Sequence, residues 1–169
     1  MIRDARSADA VPITDIYNHY VLNSSVTFEE TQLQPSNILD RINEAATQKL
    51  PYLVYEERSE GVIGYAYASK WKGRCAYRHS VEVSIYLHPE QSGQGLGTAL
   101  YSALFKQLSE RGYHVAIGGI ALPNPASIAL HEKLGMTKVA HFKEIGFKFG
   151  HWVDVGYWQA LLSNPADID

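Results

Sequence analysis

Three glycines at alternate positions, Gly93, Gly95 and Gly97, lie between a predicted strand and a predicted helix, and they constrain the fold more than any other feature. Before them, residues 80–88 read SVEVSIYLH, in which apolar residues alternate as in a half-buried strand. After them, leucines recur every four residues through residues 96–108, which is the spacing of one buried helical stripe. A strand that runs through glycines into a helix presents free backbone N–H groups, and this geometry can hold a phosphate. We therefore expect an α/β fold and a phosphate-containing ligand.

Two common phosphate-binding glycine motifs do not fit this stretch. The dinucleotide fingerprint needs the spacing G-x-G-x-x-G and an acidic residue about 20 positions further on, whereas this chain has G-x-G-x-G without that acid. A Walker loop needs Gly-Lys-Ser/Thr, which does not follow here. At this point a glycine-rich turn without a ligand stays open as an alternative.

The rest of the chain is typical of a single α/β domain. Its 169 residues are 46% hydrophobic, which suits one sizeable core and is too short for two domains of ordinary size. Apolar periodicity and turn residues predict the order β-α-α-β-β-β-α-β-α-β-β around one sheet. We expect one domain over residues 1–162 and a frayed tail over residues 163–169. Ser7 or Asp9 is the expected cap of the first helix, and Asn124 is that of the last.

Charge and cysteine content narrow the range of partners. The net charge is -3 and no basic block is present, so we expect no nucleic-acid partner. Cys75 is the only cysteine, so no internal disulfide can form. No early apolar run resembles a signal peptide or a membrane span, and we therefore expect a cytoplasmic protein without a membrane partner. The histidines lack paired spacing such as H-E-x-x-H, and we expect no metal site.

The glycine stretch resembles the signature of the GNAT superfamily of N-acetyltransferases, Gln/Arg-x-x-Gly-x-Gly/Ala, whose loop binds the diphosphate of acetyl-CoA. The two required glycines fall on Gly95 and Gly97, while Ser92 occupies the Gln/Arg position, where Gln91 or Gln94 could compensate. Nearly the whole chain resembles the phosphinothricin acetyltransferase branch, through the ordered stretches YLVYEE, GYAYASKWKGRCAY, VEVSIYLHP, GLGTALYSAL, NPASIALHEKLG and GFKFGHWVDVGYWQ. The resemblance implies a GNAT-type fold, with a mixed, mostly antiparallel sheet of six to seven strands flanked by about four helices.

The branch also implies an activity. Its members transfer the acetyl group of acetyl-CoA to the amine of small amino acids or analogues such as phosphinothricin, methionine sulfoximine and methionine sulfone, and they usually form homodimers. Acetylation of a protein N-terminus or of a polyamine is an alternative within the same fold, and a non-catalytic acyl-CoA sensor is another. The basic residues of KWKGR disfavour a polyamine, and a sensor would need neither a base nor an acid.

Glu82 and His131 are the candidate catalytic residues. An α-amino group titrates near ~8, so the acceptor amine is largely protonated at pH 7 and needs a base. Glu82 lies within an apolar-alternating strand, where burial should raise its pKa, and the resemblance implies a base at this position; pairing with Arg74 or Arg78 is the structural alternative. His131 lies seven residues after Asn124, within about 20° of the same helical face. The resemblance places it where many GNAT enzymes have a tyrosine that protonates the leaving thiolate, and a structural histidine is the alternative.

The resemblance also implies the binding residues. The main chain of the strand after Glu82 would pair with the pantetheine arm, the glycine loop would hold the diphosphate, and an asparagine would bind the arm or only cap its helix. These cofactor-binding residues are Ile85, Tyr86, Leu87, Gly93, Gln94, Gly95, Leu96, Gly97, Thr98 and Asn124. An anionic acceptor needs cations in its pocket, although such residues are often only solvated surface charges. The expected acceptor residues are Phe28, Lys72, Arg74, Glu82, Val83 and Ser84.

Overall fold

The computed structural model describes residues 1–91 and 93–162, so Ser92 and the tail predicted at residues 163–169 lie outside the described residues. Within them, the strands and helices follow the predicted order. The strands are β1 (Ile2–Asp4), β2 (Tyr52–Glu57), β3 (Gly61–Lys70), β4 (Ser80–Leu87), β5 (Val115–Leu122), β6 (Thr137–Lys148) and β7 (His151–Leu161). The helices are α1 (Ala10–Asn23), α2 (Pro35–Thr47), α3 (Leu96–Glu110) and α4 (Pro125–Lys133). None of these helices has the length and apolar content needed to span a membrane.

The strands form one sheet in the order β1-β2-β3-β4-β5-β7-β6. All neighbouring strands are antiparallel except β4 and β5, which confirms the predicted mixed, mostly antiparallel sheet. β4 and β5 pair only through residues 80–82 and 115–117. Beyond this point β4 continues to Leu87 and β5 to Leu122, and the described register no longer joins them. The two central strands therefore separate and leave a wedge-shaped opening in the sheet.

α3 packs on one face of the sheet through the predicted leucine stripe. Its buried leucines, which share one helical face because they are four positions apart, are Leu96, Leu100, Leu104 and Leu108. Gly64 on β3 lets this helix come close, since a Cβ there would lie 2.6 Å from Leu87 Cδ2 and 3.4 Å from Leu100 Cδ1. The stripe thus fixes α3, and with it the glycine loop, against β3 and β4.

α1 covers the opposite face of the sheet. The ring of Tyr86 on β4 meets that of Tyr17 on α1, with centroids 5.1 Å apart, whereas the next residue, Leu87, lies on the α3 side. Successive residues of a strand point to opposite faces, so α1 and α3 lie on opposite sides of the sheet. Glu82 is four residues before Tyr86 on the same strand, and its side chain therefore points to the α1 face.

Asp9, one of the two predicted caps, occupies the N-cap position of α1, but its side chain does not cap the helix. Residues Ser7–Asp9 form a short 3₁₀ turn, and α1 begins at Ala10 without a side-chain cap. The carboxylate of Asp9 instead accepts hydrogen bonds from both terminal nitrogens of Arg3, at 2.7 and 2.9 Å, and one from the main chain of Arg6. Two charge-assisted hydrogen bonds to a full positive charge hold the carboxylate in this bidentate pair. The bond to Arg3 also lowers the pKa of Asp9.

Candidate active site

A cavity of about 610 Å³ opens where β4 and β5 separate. Its walls come from these two strands, the glycine loop, α3 and α4. The predicted cofactor-binding residues that line it are Ile85, Tyr86, Leu87, Gly93, Gly95, Gly97, Thr98 and Asn124. Two further predicted residues have side chains directed elsewhere: Leu96 is buried in the α3 stripe, and Gln94 donates to Gln91 Oε1 at 3.0 Å.

The glycine loop needs glycine for its backbone shape. Gly93 and Gly95 have φ angles of +80° and +79°, in the left-handed region that residues with a Cβ rarely adopt. No heavy atom lies within 4 Å of an ideal Cβ at either position, so backbone conformation and not crowding demands glycine there. At Gly97 the reason differs, because a Cβ would lie 3.0 Å from Leu130 Cδ2 of α4. The loop therefore turns sharply and leaves an open approach to the first turn of α3.

Glu82 lies at the last position where β4 pairs with β5, next to the opening. Its side chain is half-buried, and this burial raises the pKa of its carboxyl, while the positive charge of Lys72 lowers it to a smaller extent. Within residues 1–91 and 93–162 no cation forms an ion pair with Glu82, so the structure does not show the alternative pairing with Arg74 or Arg78. Gly119 faces it across the opening, since a Cβ there would lie 3.6 Å from Glu82 Oε1.

His131 lines the cavity together with Asn124, as their shared helical face predicts. Its imidazole is buried, with Nδ1 2.7 Å from the main-chain oxygen of Ser127 and Nε2 3.3 Å from Tyr101 Oη. Burial lowers the pKa of His131. The ring rests against β5, because a Cβ on Gly118 would lie 2.5 Å from its Nε2.

Tyr101 is a residue of the cavity wall that the sequence did not indicate. It lies on α3 next to Leu100 of the leucine stripe but is not part of that repeat. Burial raises the pKa of Tyr101. Its hydrogen-bond partner, His131, is thirty residues away on another helix, so no local periodicity relates the two residues.

Asn124 forms the predicted cap of α4. Its Oδ1 accepts a hydrogen bond from the main-chain nitrogen of Ser127 at 3.1 Å. Pro125 follows at the first helical position, where its missing N–H costs nothing. The cap uses only the amide oxygen of Asn124, so the amide nitrogen can still donate towards the cavity that this residue lines.

The predicted acceptor residues divide into two groups. Val83 and Ser84 line the cavity wall on β4. Glu82, Phe28, Lys72 and Arg74 are not among the residues that line it. The Phe28 ring packs against Gly146, and Lys72 Nζ lies 5.1 Å from the centroid of Trp71. Arg74 and Lys72 are exposed.

Three aromatic side chains, Trp71, Phe142 and Tyr157, form a cluster that was not predicted. The centroid of Tyr157 lies 5.7 Å from both Trp71 and Phe142, and both contacts are edge-on. Tyr157 also lies near Glu82, because both side chains approach Gly119: a Cβ on Gly119 would lie 3.1 Å from Tyr157 Cε1 and 3.6 Å from Glu82 Oε1. The three residues come from the end of β3, from β6 and from β7, so only the folded sheet brings them together.

The described part of the chain contains no group of three or more His, Cys, Asp or Glu residues suited to a metal ion. The other chemical features are a glycine loop at a helix start, an opened sheet edge and a half-buried carboxylate beside one cavity. Together they are suited to a transferase that binds an acyl-coenzyme A.

Comparison with known proteins supports this class. Residues 2–156 match the family model described as Acetyltransferase (GNAT) domain. The chain is 39% identical to a phosphinothricin N-acetyltransferase of Streptomyces viridochromogenes, over 98% of this chain and 89% of that protein. It is 38% identical to an L-methionine sulfoximine/L-methionine sulfone acetyltransferase of Salmonella typhimurium, over 99% of this chain and 98% of that protein.

A solved structure agrees with the sequence matches. The structure of yncA from Salmonella typhimurium with its cofactor acetyl-CoA superposes on this chain with a TM-score of 0.95 at 38% sequence identity. The match covers 100% of this chain and 97% of the yncA chain. This chain therefore belongs to the GNAT acetyltransferase family. Its fold and its enzyme class, an acetyl-CoA-dependent N-acetyltransferase, are confirmed as predicted.

Proposed function

We propose that this enzyme transfers the acetyl group of acetyl-CoA to the amine of a small amino acid or an analogue, with phosphinothricin, methionine sulfoximine and methionine sulfone as candidate acceptors. The observation that carries the proposal is the half-buried, unpaired carboxylate of Glu82 in the described chain, beside the opening between β4 and β5. The names of the two curated relatives support the class of acceptor.

The coenzyme would lie along β4. Where β5 has separated, the main chain of Ile85, Tyr86 and Leu87 can pair with the amides of the pantetheine arm as a further strand would. Gly93, Gly95 and the following residues to Thr98 would hold the diphosphate through main-chain N–H groups at the start of α3. The amide of Asn124 would donate to the arm.

The chemistry follows from proton balance. Glu82 takes a proton from the acceptor ammonium, directly or through water, because burial raises the pKa of its carboxyl and makes the carboxylate a stronger base. The neutral amine then attacks the thioester carbonyl carbon, and main-chain donors of β4 stabilise the charge that develops on oxygen. The C–S bond breaks, nitrogen gives its surplus proton to the His131 side of the cavity, and the leaving sulfur gains a proton from that side.

The acceptor would bind on the α1 side of β4, between Glu82 and the loop that contains Phe28. Lys72 and Arg74 would approach its carboxylate, and Val83 and Ser84 would border it.

We also propose a cytoplasmic homodimer. Large apolar side chains are exposed on β6, β7 and the turn between them, namely Val139, Phe142, Ile145, Phe147, Phe149 and Trp152. Of these, Phe147 and Trp152 pack against each other and form an apolar patch typical of a surface that a second copy covers. The single cysteine suits a reducing compartment.

Release of coenzyme A thiol with a panel of acceptors tests the proposed function. Acetyl-CoA is supplied with free amino acids, methionine sulfone, methionine sulfoximine, phosphinothricin, spermidine and short peptides. We expect turnover with one or more amino acids or analogues. Turnover confined to peptides or spermidine would exclude the proposed acceptor class.

A further inference from the structure

The hydrogen bonds of His131 determine which ring nitrogen carries hydrogen. Nδ1 lies 2.7 Å from the main-chain oxygen of Ser127, and a carbonyl oxygen can only accept. Nδ1 is therefore the donor, and in the neutral ring Nε2 carries a lone pair. Tyr101 Oη, 3.3 Å from Nε2, donates its hydrogen to it.

Both members of this pair are held neutral. Burial lowers the pKa of His131 and raises that of Tyr101. In the described part of the chain no carboxylate forms an ion pair with His131. A neutral imidazole whose Nε2 faces a hydroxyl can receive a proton through that hydroxyl. At the start of the reaction Nε2 carries no proton that it could donate.

The reaction needs a group with this property. After Glu82 has taken the first proton from the ammonium, the attacking nitrogen still has one proton more than the amide product keeps. The departing sulfur needs one proton to leave as a thiol. The proton lost by nitrogen and the proton gained by sulfur balance each other, and a site that accepts one and then returns it couples the two events.

We propose, on the basis of the proposed function, that Tyr101 is a further catalytic residue, whose hydroxyl relays a proton between the reacting atoms and Nε2 of His131. As the C–N bond forms, nitrogen gives its proton to Tyr101 Oη, and the proton of Tyr101 moves to Nε2. As the C–S bond breaks and its electron pair stays on sulfur, Nε2 returns its proton to Oη, and Tyr101 gives a proton to sulfur. In this relay His131 acts through Tyr101.

The packing supports a fixed pair. Tyr101 and His131 both line the cavity, and their rings meet edge-on with centroids 5.2 Å apart. Gly118 leaves the space that the imidazole occupies, and the Ser127 carbonyl holds Nδ1 on the other side. A proton on Nε2 would be stabilised by that same carbonyl through Nδ1–H.

The test removes one hydroxyl. In Tyr101→Phe we expect kcat to fall by about 10²-fold, as is common when a proton-transfer group is removed, with the Kd of coenzyme A unchanged. Tyr52→Phe is the matched control, because Tyr52 is also buried but lies outside the cavity. A kcat of Tyr101→Phe within about twofold of that of the control overturns the proposal.

A second measurement separates proton delivery from packing. The selenium analogue of acetyl-CoA releases a selenolate, which is a much weaker base than a thiolate and departs without a proton. We expect the loss in Tyr101→Phe to shrink by about tenfold with this ester, and His131→Gln to respond in the same way. An equal loss with both esters means a structural role and overturns the proposal. If the wild-type enzyme acetylates no acceptor, the proposed function fails instead.

Discussion

The carboxylate of Glu82 is half-buried and has no ion-pair partner among the described residues, so its charge is poorly compensated. Burial raises its pKa in the folded chain above the value in the unfolded chain. Its contribution to stability is therefore fully present below the unfolded pKa, and it is lost as the pH rises through the folded pKa. At neutral pH Glu82 is retained at some cost in stability, as expected for a group kept for chemistry.

We predict opposite effects of Glu82→Gln on stability and activity. The neutral amide should increase the free energy of unfolding at pH 7.5 and change it less at pH 4, because the wild-type side chain is then largely protonated. Activity should fall by about 10²- to 10⁴-fold. Urea unfolding at both pH values and the thiol assay measure the two effects, with the exposed Glu57→Gln as control. A stabilisation that is larger at pH 4 would contradict the argument.

For individual residues, the sequence predicted where a side chain lies better than which side chains it contacts. The alternating strand placed Glu82 among apolar residues, and the spacing from Asn124 placed His131 on the cavity side of α4. The pairing of His131 with Tyr101, and the lack of an arginine next to Glu82, depend on how distant elements approach one another. No local pattern contains that information.

The loop between α1 and α2 is held to the end of β6. Lys148, only 2% exposed, donates through Nζ to the main-chain oxygen of Thr27 at 2.8 Å. The Thr27 hydroxyl and the Tyr17 hydroxyl are 2.7 Å apart, and Phe28 packs on Gly146. Another residue of the loop, Val26, lines the cavity. This link thus positions one wall on the proposed acceptor side.

We predict that Lys148→Met weakens acceptor binding selectively. Without the ammonium group the Thr27 carbonyl loses its partner and the loop shifts, so the acceptor KM should rise by about tenfold, equivalent to about 1.4 kcal/mol, while the KM of acetyl-CoA stays the same. Steady-state kinetics with each substrate varied in turn measure this. Lys143→Met, at an exposed position of the same strand, is the control. Equal rises in both KM values would argue against a role confined to the acceptor side.

At the scale of elements the sequence was most informative where the signal is local. The leucine repeat, the glycines and the Asn-Pro pair predicted α3, its loop and the start of α4. Asp9 occupies the predicted N-cap position of α1, but its carboxylate binds Arg3, on another element, and does not cap the helix. The early separation of β4 from β5 was also not predictable, since alternation within a strand does not reveal where its neighbour leaves it.

For the whole molecule, the exposed apolar surface of β6 and β7 predicts self-association. Trp152 is 61% exposed, and its ring meets that of Phe147 edge-on, with centroids 4.9 Å apart. Phe142 lies on the other face of the sheet, where it pairs with Val155 and contacts Tyr157.

We predict that Trp152→Glu converts a dimer to a monomer, because a buried unpaired charge opposes association. Sedimentation velocity measures the change in mass. Val11→Glu is the control, since Val11 is exposed on α1 away from this patch. A wild-type protein that sediments as a monomer would exclude the proposed dimer.

The early separation of β4 and β5 also affects how readily the protein aggregates. Unpaired backbone N–H and C=O groups usually occur at the edge strands of a sheet, but here they lie at its centre. Unpaired strands promote strand addition by neighbouring molecules. The pantetheine arm of acetyl-CoA, bound along β4, would pair with these backbone groups. We therefore expect the supply of coenzyme to govern how long the protein resists aggregation, as well as how fast it works.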